Sequence, residues 1–278
     1  PIFEEATMTA GRRSDGRRYP MLLAVLVVLA GGSAAPAEDA AEVVPAPTVF
    51  GPGEKMEFSI DYGVVNAGNG TLEVIGLTTH GGRQVYHIQS RANSNRFFSA
   101  FYKVRDKVTS FIDVETLGSV YFHKRLREGD YRKNVEIEFD HGTNQAHYKD
   151  GRSFEILPGT HDVLSAFFYV RNLDLAPGKV YSVPAHSSRK TYDLKVIVHG
   201  RESVEVEAGT WDCFVVEPKI EGDGLFKHEG KLTMYISDDE HRIPVLIKTK
   251  VPVGSIDVRL TGYRPGLPLV PLDTTEQR

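Results

Sequence analysis

Run after run of this chain alternates apolar and polar residues with a period of two, and Gly, Asn and Asp stand between the runs. Met56, Phe58, Ile60 and Tyr62 alternate with Glu57, Ser59 and Asp61. In an extended strand that spacing gathers the large side chains on one face and leaves the other to water. Asn66-Ala67-Gly68-Asn69-Gly70 follows, composed of residues that tolerate the positive φ of a tight hairpin, and Leu72 and Val74 run back as the partner strand. The same pattern recurs at Gln84–Ala92, Tyr102–Val114, Ser119–Leu126, Tyr131–Phe139 and Gln145–Tyr148. A second series comprises Val180–Pro184, Thr191–Val198, Glu202–Val206, Trp211–Ile220, Gly230–Ile236, Val245–Lys250 and Gly254–Thr261. About fourteen strands are too many for one flat open sheet, which curls or splits at that size. The expected fold is all-β: a strongly curved antiparallel sheet or half-barrel.

One segment breaks the pattern. His161–Val170 (HDVLSAFFYV) predicts a helix of about three turns, since Pro158-Gly159 precedes it and Pro177-Gly178 closes its tail. Thr160 is placed to cap its N-terminus, and Asp162 suits the positive end of the helix dipole. Val163, Leu164, Ala166, Phe167, Phe168 and Val170 wrap most of its circumference, so the helix should be buried, filling or capping the concave face of the sheet.

The N-terminal region reads as an address. Arg12, Arg13, Arg17 and Arg18 lead into Met21–Ala30 and then a small-residue stretch ending Ala-Pro-Ala, the three parts of a secretory signal. The apolar run is about half the roughly 20 residues that a spanning helix needs. We expect a signal peptide over 1–37, with Met8 or Met21 as its start, a flexible leader over 38–49, one β domain over 50–264 and a C-terminal tail over 265–278. Cleavage after Ala37 would expose Glu38, with no cysteine there for lipid attachment. The protein should then lie in the periplasm or be secreted, with no transmembrane anchor after processing.

The formal net charge of −4 argues against nucleic acid as partner and offers no polybasic anchor for a membrane. Cys213 is the one cysteine, so no intrachain disulfide can form, and in the apolar run Trp211–Val216 it reads as a small buried hydrophobe. Ten histidines include no HExxH and no pair at i, i+4. His141 and His147, flanking a turn, and the Asp238-Asp239-Glu240 cluster are the nearest things to metal ligands, and both fit solvated turns as well. Ser165 lacks the flanking glycines of a nucleophile elbow. Neither metal nor cofactor nor catalytic residue is therefore expected.

Four segments together resemble a known family, the bacterial exported proteins grouped as domain of unknown function 3108. They are Tyr62–Gly68, Asp162–Arg171, Glu207–Trp211 and Ser237–Val245, and the resemblance spans about Gly53 to Tyr263. It implies an exported protein and assigns no activity. More loosely, the expected architecture is similar to the half-barrels of lipoprotein-localisation factors and related lipid carriers.

The function expected from these residues is non-catalytic binding of an amphipathic molecule, a lipid or a lipidated envelope component, in the hollow of the sheet. Phe97, Phe98 and Phe101, beside Arg96, form a mobile lip or else pack as core before the next strand. Phe167 and Phe168 are core or cavity wall. Arg171 either serves the C-terminus of the helix or, with Arg125 or Arg127, receives an anionic head group. Two alternatives stay open: a periplasmic scaffold pairing through an exposed strand edge with an envelope partner, and an enzyme acting on cell-wall glycan.

Overall fold

The computed structural model describes residues 48–220, 232–250 and 254–267. The expected signal, leader residues 38–47 and tail residues 268–278 lie outside them, as do Gly230 and Lys231 of one expected strand. The chain forms β1 (Lys55–Tyr62), β2 (Val65–His80), β3 (Arg83–Ser94), α1 (Arg96–Ser99), β4 (Arg105–Asp113), β5 (Ser119–Glu128), β6 (Tyr131–Asp140), β7 (Gln145–Tyr148) and β8 (Ser153–Glu155). After α2 (Val163–Arg171) come β9 (Val180–Ser187), β10 (Lys190–Val206), β11 (Gly209–Ile220), β12 (Leu232–Ser237), β13 (Pro244–Lys250) and β14 (Ser255–Arg264).

All fourteen strands belong to one sheet, ordered from β8 down to β1 and then from β14 down to β9. The two meanders meet where β1 pairs with β14, Ile60 opposite Val258 and Tyr62 opposite Ile256. Every described ladder is antiparallel, the inner faces alternate as the period of two requires, and the sheet is not closed. The agreement in strand number is partly fortuitous. β10 is a single strand that absorbs a register shift between Val198 and Gly200, where the sequence suggests two, and the three-residue β8 is too short to show a period.

The first hairpin also differs from expectation. Its turn is Gly63-Val64, with Gly63 at φ +61°, and Tyr62 pairs directly with Val65. Asn66–Gly70 lies inside β2. Gly68 is needed for close approach instead: a Cβ there would stand 2.1 Å from the Asn93 carbonyl oxygen.

The edges β8 and β9 face each other across a seam. The extended segment before α2 partly fills it, His161 bridging in parallel to Ala185 and its backbone exchanging hydrogen bonds with Pro184 and His186. A relay crosses the same seam. Arg189 N–H donates to the Tyr148 hydroxyl (2.8 Å), which is 3.0 Å from His186 Nε2, while His186 Nδ1 is 3.0 Å from Thr191 Oγ1, whose hydroxyl donates to the Glu155 carbonyl. These contacts fit a neutral His186 that donates through Nδ1, in keeping with a pKa lowered by burial to about 4. With β8 so short and β9 bridged, the scaffold reading loses most of its free edge.

Helix α2 lies inside the curve of the sheet, against β4 and β9. Its N-cap is Asp162, not Thr160. Asp162 Oδ1 accepts from the Leu164 and Ser165 N–H groups, and Oδ2 accepts from the Ser110 and Ser119 hydroxyls at 2.6 Å each. Thr160 spends its hydroxyl on the Leu157 carbonyl. Asp162→Ala is expected to destabilise the fold by about 3 kcal/mol, since a cap is lost and two buried serine hydroxyls lose their acceptor. Urea unfolding measures this, and an effect no larger than that of a surface substitution would contradict the assignment.

Candidate functional site

Arg171, at the far end of α2, is fully buried and serves the fold. Its Nη1 and Nη2 donate to the two carboxylate oxygens of Glu54 at 2.8 and 2.7 Å, Nε donates to the Arg242 carbonyl, and Nη2 also donates to that of His241. Phe50 and Phe168 lie under the guanidinium, at 5.6 and 5.0 Å from its carbon to the ring centroids. The two accepting carbonyls sit in the β12–β13 turn, which Asp239 shapes by accepting from the His241 and Arg242 N–H groups and the Ser237 hydroxyl. The Asp238-Asp239-Glu240 cluster, which in the sequence fits a solvated turn as well as a metal site, is thus part of an organised socket for Arg171. Four of the arginine's five N–H donors are engaged within the protein, so the structure places Arg171 in the structural one of the two roles that the sequence allows. Arg125 and Arg127 are exposed, on the opposite face of β5 from the interior, and do not join it.

The aromatic residues also divide. Phe168 is fully buried against Phe50, centroids 4.7 Å apart, and Phe167 packs on Phe168, so both are core. Phe98 is half-buried and plugs one end of the interior with Tyr102 over Ile60, Tyr62, Ala67 and Ile256, leaving a cavity of about 10 Å³. Phe97 and Phe101 are 67 % and 80 % exposed. The five rings therefore do not form one wall around a hollow, and the packing of Phe97 and Phe101 as core is not seen.

A half-open cleft of about 260 Å³ lies beside the seam. Phe122, Val135, Ile137, Tyr148 and Val163 give it apolar surface, and Lys124, Lys133, Lys149, Arg189, Ser187 and Ser188 give it polar groups dominated by positive charge. Glu136 and Asp150 also line it but are engaged: Glu136 with Lys149 at 2.7 Å, and Asp150 with Arg152 at 2.6 Å and Arg189 at 2.9 Å.

Lys124 is the unusual member. It stands on the inner face of β5 between Phe122 and Leu126, flanked across the ladders by Val108 and Val135, and is only 3 % exposed. Burial, with help from the nearby Lys133 charge, lowers its pKa to about 8, and Glu128 offsets only part of this. It stays cationic at neutral pH in a place where the protein does not fully compensate it. The alternation Val120, Phe122, Lys124, Leu126 already puts this lysine on an apolar face, a signal available in the sequence and not used there.

Further along the same face lie Asp106 and Glu128, 3 % and 0 % exposed. Asp106 Oδ1 accepts from the Arg127 N–H at 2.8 Å, and Asp106 also hydrogen-bonds Glu128, while burial raises its pKa. Two carboxyls packed side by side in this way do not straddle a glycosidic bond, which requires a separation of about 5–10 Å. Among the described residues no cluster of His, Cys, Asp and Glu could hold a metal ion, and no helix is long and apolar enough to cross a membrane. His161 is buried against Tyr169, and burial lowers its pKa to about 3. Cys213 is a buried thiol whose pKa burial pushes up to about 12.

A family profile described as protein of unknown function (DUF3108) matches residues 57–261. No curated protein matches the sequence. Among solved structures, the chain is similar to a β-barrel-like protein of domain of unknown function DUF1849 from Brucella abortus. That alignment has a TM-score of 0.52 and 10% identity and covers 78% of this chain and 98% of the other. At that identity the likeness concerns the fold alone, and it agrees with the curved antiparallel sheet seen here. A DUF1089-family protein from Pseudomonas aeruginosa aligns over 79% of this chain and 97% of its own at 10% identity, with a TM-score of 0.35.

Proposed function

The chain belongs to the DUF3108 family of proteins of unknown function, and we propose that it is an exported, non-catalytic binder of an amphipathic anion, which it holds in the cleft beside the seam. The observation that carries this reading is Lys124, a buried cation set among apolar side chains in the wall of a half-open cleft. An anionic ligand relieves the electrostatic penalty of that lysine, whereas a neutral ligand would deepen it by excluding water. A carboxylate or phosphate would meet Lys124 and Lys133, with Arg189 at the rim, and the first part of an acyl chain would lie on Phe122, Ile137 and Val163.

A volume of about 260 Å³ falls just under the roughly 300 Å³ at which pockets begin to enclose whole drug-sized ligands. The cleft therefore suits a head group and the start of a chain, with the remainder leaving through the open side. Compared with the sequence expectation, the ligand class is kept, and the site moves from Arg171 and the aromatic residues to the Lys124 cleft. A periplasmic location accords with the signal-like segment at 1–37.

Native mass spectrometry of the processed protein, Glu38–Arg278, purified from a bacterial periplasm and then extracted with solvent, tests the reading. A discrete acyl carboxylate or phospholipid-like anion should leave on extraction. A clean apo mass that takes up no added acyl carboxylate would overturn the proposal.

A further inference from the structure

Alternate turns of an antiparallel meander lie at the same end of the sheet. One end carries the β1–β2 turn at Gly63-Val64, the β3–β4 connection 95–104 with α1, the β5–β6 turn at Gly129-Asp130 and the β9–β10 turn at Ser188-Arg189. Neighbouring turns are tied together. Asn95 Nδ2 donates to the Asn66 carbonyl at 2.7 Å, and Gly129 N–H donates to that of Lys103 at 2.8 Å. The Tyr102 ring packs so closely on Gly129 that a Cβ there would lie 2.8 Å from it. Together the turns make a firm rim.

Two properties coincide on that rim. The first is exposed apolar surface: Val64 is fully exposed, and Phe97 of α1 and Phe101 of the turn just after it project with centroids 5.5 Å apart, while Phe98 anchors the short helix inward. The second is charge. Arg96, Lys103, Arg127 and Arg132 are exposed there and make no ion pair among the described residues; Asp130 is the one exposed acid in 95–104 and 127–133. The opposite end carries Glu115, Asp140, Glu207 and Glu240 in its turns. Among the described turns the mildly acidic total thus conceals a separation of charge along the sheet, with the apolar tip at the basic end, where Asp150 of the β7–β8 turn is paired with Arg152 and Arg189. Net charge alone does not reveal this separation.

We propose that this end docks on an anionic lipid leaflet, Phe97, Phe101 and Val64 entering the boundary between head groups and acyl chains while Arg96, Lys103, Arg127 and Arg132 face the lipid phosphates. Basic residues around a small set of large apolar ones supply the two terms of interfacial binding, electrostatic attraction and buried apolar area. The basic rim fits an anionic lipid surface better than a second copy of the same basic end, which it would repel. The proposal does not depend on what occupies the cleft.

Co-sedimentation of the processed protein with phosphatidylcholine vesicles, with and without phosphatidylglycerol, tests it. The wild type should bind the phosphatidylglycerol vesicles, and that binding should weaken with added salt. Phe97→Ala/Phe101→Ala should weaken it on the order of tenfold, and Arg96→Glu/Lys103→Glu by at least about fivefold for each charge. All four residues are exposed, so unchanged thermal unfolding is expected to show that both variants fold; the salt dependence of the wild type is independent of any variant. The proposal is overturned by failure of the wild type to bind anionic vesicles, by equal binding to both vesicle types, or by binding indifferent to the aromatic pair. A protein dimer abolished by Phe97→Ala/Phe101→Ala, with no vesicle binding, would overturn it in favour of a second copy. None of these results bears on the cleft, whose occupant is read by mass spectrometry.

Discussion

Arg171→Ala is expected to destabilise the protein by about 3–5 kcal/mol, because it strands the buried Glu54 carboxylate and leaves two carbonyls of the β12–β13 turn without their donor. For a domain of this size that corresponds to a fall in melting temperature on the order of 10 °C. Glu54→Ala should cost a similar amount by stranding the guanidinium instead. The double change of Arg171 and Glu54 to apolar residues of similar volume should recover much of the loss, since the pair's mutual attraction is largely offset by the desolvation of both charges. Thermal and urea unfolding of the three variants measure the cycle. The outcome also separates two roles for Arg171: a ligand contact would lose binding and keep stability, whereas the bidentate pair to Glu54 at 2.7 and 2.8 Å requires the reverse. An Arg171→Ala protein as stable as the wild type would contradict this structural role.

Lys124→Met should do the opposite, stabilising the unliganded protein at neutral pH while removing ligand binding. The lysine's pKa in the folded state, about 8, lies below the roughly 10.4 of an unfolded chain. Between those values the unfolded state binds more protons, so wild-type stability rises with pH across that window. Below about pH 8 both states are charged and the burial penalty is fully present. The difference amounts to about 3 kcal/mol, and a methionine of similar length escapes it. Urea unfolding at about pH 7 and about pH 10 should show the wild type gaining on the variant as pH rises. A variant less stable than the wild type at neutral pH would mean that Lys124 is satisfied within the protein, and the case for an anionic ligand would fall with it.

What the sequence made legible follows from the length over which a pattern acts. Strands with four or more alternations, such as Met56–Tyr62 and Ser119–Leu126, declare both their existence and their buried face. The four-residue α1 and three-residue β8 are shorter than one readable period. Local chemistry misleads where a residue type serves two purposes. Gly68 permits a close backbone approach and not a turn, and Thr160 and Asp162 are both good caps until Ser110 and Ser119 are seen to converge on the aspartate. Pairings across the chain leave no local trace: Arg171 meets Glu54 only because the two meanders join at β1 and β14. The candidate site lies between these cases. Lys124 was visible as a charge on an apolar face, but the cleft beside it depends on Ser187–Arg189, which approach only when the seam forms.

The most direct test of the Lys124 cleft is calorimetric titration of the wild type and Lys124→Met with a medium-chain acyl carboxylate, at about pH 7 and about pH 9.5. Binding should be present in the wild type at the lower pH, weaker by on the order of tenfold at the higher pH as the lysine loses its proton, and absent from the variant at both. Equal affinity in the two proteins, or in the wild type at both pH values, would contradict the assignment of Lys124 as the anion's partner.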